Sequence, residues 1–167
     1  MPNLEGMDTT TSTPTAGMPA AAGSPATATL AVANCFLVVD DHEKALIFYR
    51  DVLGFTVTKD VTMGEFRWLS VATPTQPDLE ITIQSVGIYP GCSDEDRQAM
   101  DTLLAKGLMN PLIFRCDDVD ALFEHVQAAG GEVLQEPIDQ FYGVRDCAFR
   151  VPAGNMLRFN QVLPQQD

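Results

Sequence analysis

Two rhythms of hydrophobic and polar positions alternate along this chain, and the switches between them mark its elements. Ala33 to Val39 is a run of strand-forming residues ending at Asp40 and Asp41, a pair suited to capping a helix. In the following HEKALIFYRDVLGF, Ala45, Leu46, Phe48, Tyr49, Val52 and Leu53 recur at helical spacing. Gly54 stands where a left-handed cap closes such a helix. Strands are predicted near 55–60, 66–72 and 79–85, separated by turn-rich segments, the last running from Thr73 to Asp78. The unit reads βαβββ.

A second copy follows. Leu112 to Cys116 predicts a strand, Asp117 and Asp118 a cap, and VDALFEHVQAA a helix ended by Gly130 and Gly131. Further strands are predicted near 132–135, 145–151 and 156–162. At one constant offset Ala45 aligns with Ala121, Leu46 with Leu122, Gly54 with Gly130 and Val57 with Val133. Shared cap, helix face and following strand mark a duplicated module. Between the copies, Ser93 to Lys106 predicts a helix opened by Ser93 and Asp96 as a variant capping box, with Met100, Leu103 and Leu104 as its apolar face.

The predicted organisation is a disordered tail over 1–29, a first module over 30–90, a helical linker over 91–110, a second module over 111–163 and a short tail over 164–167. The predicted fold class is α+β, two tandem βαβββ modules with eight strands in all.

Composition narrows the functions. The 167 residues are 46% hydrophobic and 20% charged, enough to build a core. Residues 1–29 are almost wholly Thr, Ala, Pro, Gly, Ser and Met, without Lys, Arg or an aromatic residue. Such a stretch buries too little apolar surface to offset its ordering entropy, and it does not read as a secretory signal. No apolar run approaches the roughly 20 residues of a membrane helix. A formal charge of −13 repels phosphate backbones and anionic bilayers, so nucleic acid and membranes are not expected partners. The four cysteines lie far apart with no zinc spacing, as in a chain kept reduced in the cytoplasm. No G-x-S-x-G, phosphate-cradling glycine loop or nucleophile with a nearby base cue occurs.

Period two defines a candidate wall. Leu79, Ile81 and Ile83 alternate with Glu80, Thr82 and Gln84; Leu157 and Phe159 alternate with Met156, Arg158 and Asn160; Cys147, Phe149 and Val151 alternate with Asp146, Ala148 and Arg150. If the apolar set buries against the helices, the polar set faces the cavity or a dimer surface. Asn34, Phe36, Trp68, Ser70 and Arg115 join it by the same parity. Stacking surface from Trp68 and Phe36 beside Glu80, Gln84, Arg158 and Asn160 suits a planar, polar organic ligand. Tyr142 and Arg145, with Gln140 and Asp146, either close over that ligand or hold a hairpin.

The segments DDHEKALIFYRDVLGF and DDVDALFEHVQAAGGEVLQEP, with the G-x-R-D-x-x-x-x-x-P-x-G-N stretch from Gly143 to Asn155, resemble the vicinal oxygen chelate superfamily. That superfamily includes glyoxalase I, bleomycin-resistance proteins, extradiol dioxygenases and methylmalonyl-CoA epimerase. The resemblance implies a curved eight-stranded mixed sheet around a cavity, flanked or completed in a homodimer. It also implies four metal-ligand slots, which fall here on Asn34, Glu80, Pro111 (or Asn110 one register earlier) and Arg158. Only Glu80 is an ordinary ligand, so no metal or other cofactor is expected, a divalent metal being the alternative. Glu80 and Arg158 are expected to pair across the vacated centre. The implied function is a metal-free, bleomycin-resistance-like protein holding a polar aromatic or cationic small molecule. The alternative is a glyoxalase-type lyase or isomerase acting on a small oxygenated substrate, with Glu80 as general base or metal ligand.

Overall fold

Each module starts where an aspartate ends a strand and opens a helix. Asp41 accepts hydrogen bonds from the backbone N–H of Glu43 and Lys44 at 2.8 and 3.1 Å. Asp118 accepts one from Ala121 at 3.0 Å. These bonds satisfy the first free N–H groups of a helix, which is why the strand-to-helix switch falls at both places.

The computed structural model describes residues 30–64, 66–109 and 111–164. The predicted tail over 1–29, and Asn110, lie outside the described residues. The first module runs β1 (Asn34–Val39), α1 (His42–Leu46), β2 (Thr56–Met63), β3 (Phe66–Thr73) and β4 (Gln76–Ser85). After α2 (Asp94–Ala105), the second runs β5 (Leu112–Arg115), α3 (Val119–Ala128), β6 (Glu132–Gln140), β7 (Val144–Arg150) and β8 (Met156–Val162). The eight strands are hydrogen-bonded as two four-stranded mixed sheets, one per module, ordered β1-β4-β3-β2 and β5-β8-β7-β6. The first and last strands of each module pair in parallel and the others antiparallel.

One apolar core spans both modules. Leu37, Phe48, Leu69 and Ile83 of the first join Val126, Phe149, Leu157 and Phe159 of the second. Phe114 stacks on Phe159 and meets Phe55 of the other module edge-on, with ring centroids 5.3 Å apart. Two side chains add polar ties: His125 Nε2 lies 2.8 Å from the Val52 carbonyl, and the fully buried Asn155 Nδ2 donates to the Val38 carbonyl at 2.8 Å. Asn155 ends the glycine–asparagine motif, so that motif joins the modules. The capping box on α2 forms as expected, and Leu104 anchors the helix on Val38 and Val86. Among the described residues no helix is long and apolar enough to cross a membrane.

The first helix departs from its predicted continuous α-helical course. After Leu46 it widens into a π-helical turn over Ile47–Val52, with Leu53 N–H donating to the Phe48 carbonyl at 3.0 Å. Adjacent Phe48 and Tyr49 are both buried there, edge-to-face at 5.5 Å. Tyr49 Oη is buried without a hydrogen-bond partner, and burial followed by the nearby Cys35 pushes its phenol far above the usual range. An unmade buried bond costs stability, so Tyr49→Phe is expected to leave the stability unchanged or raise it, by up to about 1–2 kcal/mol. A loss above about 1 kcal/mol in thermal or urea unfolding would show that the hydroxyl bonds internal water.

Candidate functional site

The two sheets each turn one face toward the core and one away from it. Leu69, Val71, Ile81 and Ile83 bury inward, which leaves Ser70, Thr82, Glu80 and Gln84 on the opposite face of the first sheet. Much of that polar face is buried too: Ser70, Thr82 and Gln84 are all buried. Buried polar groups must find partners, and here they find one another. Trp68 Nε1 donates to Ser70 Oγ at 3.1 Å, Ser70 and Thr82 hydroxyls meet at 2.9 Å, and Asn34 Nδ2 donates to Thr82 Oγ1 at 2.7 Å. The chain crosses three strands and fixes the indole edge. Phe36 lies beside Thr82 in register, and Tyr89 Oη donates to Gln84 Oε1 at 3.0 Å. Val61 pairs with Trp68 and Met63 with Phe66, extending the apolar side of the wall.

On the second sheet a carboxylate is the hub. Asp146 Oδ2 accepts from Arg158 Nη1 at 2.6 Å, and its Oδ1 accepts from Gln135 and Gln140 amides at 2.7 and 2.8 Å. Arg158 Nη1 also donates to Gln135 Oε1 at 3.1 Å. Burial alone would raise the Asp146 carboxyl, but the hydrogen bonds from Gln140, Arg158 and Gln135 outweigh it and hold the group below the usual carboxylate range. Asn160 stands beside Asp146 in register.

The predicted site residues therefore divide. Asn34, Phe36, Trp68, Glu80 and Gln84 come together on the first sheet, and Arg158 and Asn160 on the second. Arg145 joins neither: its guanidinium grips Asp120 on α3 with two bonds of 2.9 Å and reaches Asp139 at 2.8 Å. It shares the helix-facing parity of Cys147 and Phe149. Tyr142 sits half-exposed in the β6–β7 turn against Phe141. The expected Glu80–Arg158 pair does not form. Glu80 is bound instead to Lys59 at 2.7 Å, and Arg158 to Asp146. Lys59 and Gln135 went unread in the sequence because β-bulges beside them, between Val57 and Lys59 and between Val133 and Gln135, reset the two-residue parity.

The donor set does not fit a divalent ion. The residue beside Arg158 in β5 is the apolar Ile113, since Pro111 precedes the strand. Arg158 carries a charge no metal tolerates as a ligand, and among the described residues no three His, Cys, Asp or Glu side chains converge on one point. The Lys59 hydrogen bond holds the Glu80 carboxyl below its ordinary range. A carboxylate kept ionised in this way is a weak general base at neutral pH.

Tandem βαβββ modules sharing one core, with a polar and aromatic wall on the sheet face away from it, define a small α+β protein. The model of the Glyoxalase/Bleomycin resistance protein/Dioxygenase superfamily matches residues 31–159, and the chain belongs to that superfamily. Among solved structures it is similar to UcmS2, with 29% identity and a TM-score of 0.72 over 80% of this chain and 98% of that one. It is also similar to TnmS3, an antibiotic binding protein from Streptomyces sp. CB03234, with 28% identity and a TM-score of 0.63 over 81% of this chain and 98% of that one. The uncharacterized protein YurT of Bacillus subtilis (strain 168) is 25% identical over 125 residues, covering 75% of this chain and 94% of YurT.

Proposed function

We propose that this chain is a metal-free small-molecule-binding protein that holds a planar polar or cationic organic ligand against the first sheet. The observation that carries the reading is the Trp68–Ser70–Thr82–Asn34 chain beside Phe36, which pre-orients an indole face at little entropic cost on binding. The net charge of −13 favours a cationic ligand over an anionic one. Similarity to an antibiotic binding protein supports the same class of occupant. The four free cysteines suit a reducing compartment, and the cytoplasm is the proposed location. The lyase or isomerase reading has less support, because Glu80 is held by Lys59 and the ligand slots do not fit a metal.

Trp68 is the sole tryptophan, so its emission reports directly on this wall. Proflavine, a planar aromatic cation, is expected to quench it saturably, and calorimetry should give a micromolar Kd. Phe36→Ala and Asn34→Leu should each weaken binding about tenfold, roughly the loss of one anchor of an interface. Unsaturable quenching, or variants that bind as the parent does, would overturn the site. Turnover of the methylglyoxal–glutathione hemithioacetal, lost in Glu80→Gln, would favour the enzyme instead. We further propose a homodimer in which the partner subunit closes over the ligand wall, where Phe36, Val61 and Met63 are exposed. Light scattering at tens of micromolar should give twice the 18.2 kDa chain mass, and a monomer mass would refute it.

A further inference from the structure

A cleft runs between the β3–β4 turn of the first module and β5 of the second; it takes in Arg115, which strand parity grouped with the wall, but none of Asn34, Phe36, Trp68, Glu80 and Gln84. Its mouth, about 610 Å³, is bordered by Thr73, Thr75, Gln76, Arg115 and Asp117. Its inner end is a recess of about 110 Å³ lined by Cys35, Leu79, Ile81, Leu112 and Phe114. Thr73, Gln76, Ile113 and Phe114 border both, so the two spaces lie side by side.

The mouth carries two unused charges of opposite sign. Arg115 is exposed, and among the described residues it is the arginine with no hydrogen bond or ion pair; Arg50, Arg67, Arg97, Arg145, Arg150 and Arg158 all have partners. In a chain of net charge −13 an idle guanidinium is conspicuous. Asp117, two residues on and also exposed, likewise has no hydrogen bond or ion pair among the described residues. A simple anion would meet Arg115 but suffer Asp117, and a simple cation the reverse. A ligand bearing both charges satisfies both groups. The recess is smaller than the roughly 150 Å³ cavity that holds benzene, so it suits a branched alkyl group better than a ring.

We propose that this cleft binds a small amphipathic zwitterion of the aliphatic amino-acid type. Its carboxylate lies on Arg115, its ammonium on Asp117, and its branched alkyl chain in the recess, with Thr73 and Gln76 as flanking hydrogen-bond partners. The site is separate from the ligand wall and does not rest on it.

Calorimetry of the full chain against L-leucine, 4-methylpentanoate and 3-methylbutylamine tests the assignment, because the last two each lack one charge. L-leucine should bind with a Kd of about 1 mM or tighter. Each single-charge analogue should bind about two- to fivefold more weakly, a loss within the range of one exposed ion pair. Arg115→Gln should erase the preference for leucine over the amine, and Asp117→Asn the preference over the acid. Trp68→Phe should leave leucine binding unchanged. No leucine binding, equal binding of all three compounds, or indifference to Arg115→Gln would each overturn the proposal.

Discussion

Arg158→Met is expected to destabilise the protein by about 3 kcal/mol at pH 7, a drop of roughly 10 °C in melting temperature, and by far less in acid. The Asp146 side chain is 1% exposed, and Arg158, at 27%, supplies its countercharge. Removing the arginine strands a carboxylate between two glutamine amides. The value sits at the low end of the range for broken buried pairs because Arg158 reaches solvent in part. The pH dependence has a definite sign. In the parent the folded carboxyl lies below its unfolded value, so the pair's stabilisation is complete above the ordinary carboxylate range and is lost as pH falls through the lower, folded value. In the variant, burial without the arginine pushes the carboxyl upward, so protonation relieves the defect and the two unfolding curves converge as pH falls. Adding Asp146→Asn to the variant should recover much of the loss, a coupling that a double-mutant cycle reads directly. A difference independent of pH, or smaller than about 1 kcal/mol, would refute the hub role of Asp146.

Gly154→Ala should cost about 2–5 kcal/mol, for two separable reasons. Gly154 has φ of 89°, where an L side chain strains the backbone by about 1–2 kcal/mol. A Cβ there would also lie 2.9 Å from Leu104 Cγ and 3.2 Å from the Leu104 carbonyl oxygen, which forces α2 off the second module. Overpacking of that kind adds about 1–3 kcal/mol. Gly143→Ala isolates the first effect, since φ there is 86° and a Cβ would meet nothing within 4 Å. Chemical denaturation of both variants should therefore show Gly154→Ala as clearly the worse. Equal losses would mean that α2 shifts without penalty and that its seat on Gly154 is not tight.

Much of the fold was legible because local chemistry and tertiary structure agreed. Asp41 and Asp118 cap helices through their own side chains, and Ser93 with Asp96 closes a capping box within four residues. The inward set Ile81, Ile83, Cys147, Phe149, Leu157 and Phe159 is buried as its alternation required. Arg145 reads instead as a group that closes over a ligand or holds a hairpin, and its bonds to Asp120 on α3 and to Asp139 appear only in the folded chain.

The partners of the polar wall were a different matter. Which cation meets Glu80 depends on how far β2 slides past β3, and the bulge after Val57 sets that slide so that Lys59 arrives. Which acid meets Arg158 depends on pairing across β7 and β8, and two shifts in β6 bring Gln135 and Gln140 onto the same carboxylate. By itself the sequence determined the duplicated βαβββ modules, their caps, and which residues turn inward, since each follows from periods of 3.6 and 2 and from contacts a few residues apart. Tertiary structure alone decided the two separate hydrogen-bonded sheets, the partners of Glu80 and Arg158, and the cleft beside Arg115. Those features join residues distant in sequence, and a one-residue bulge is enough to exchange one partner for another.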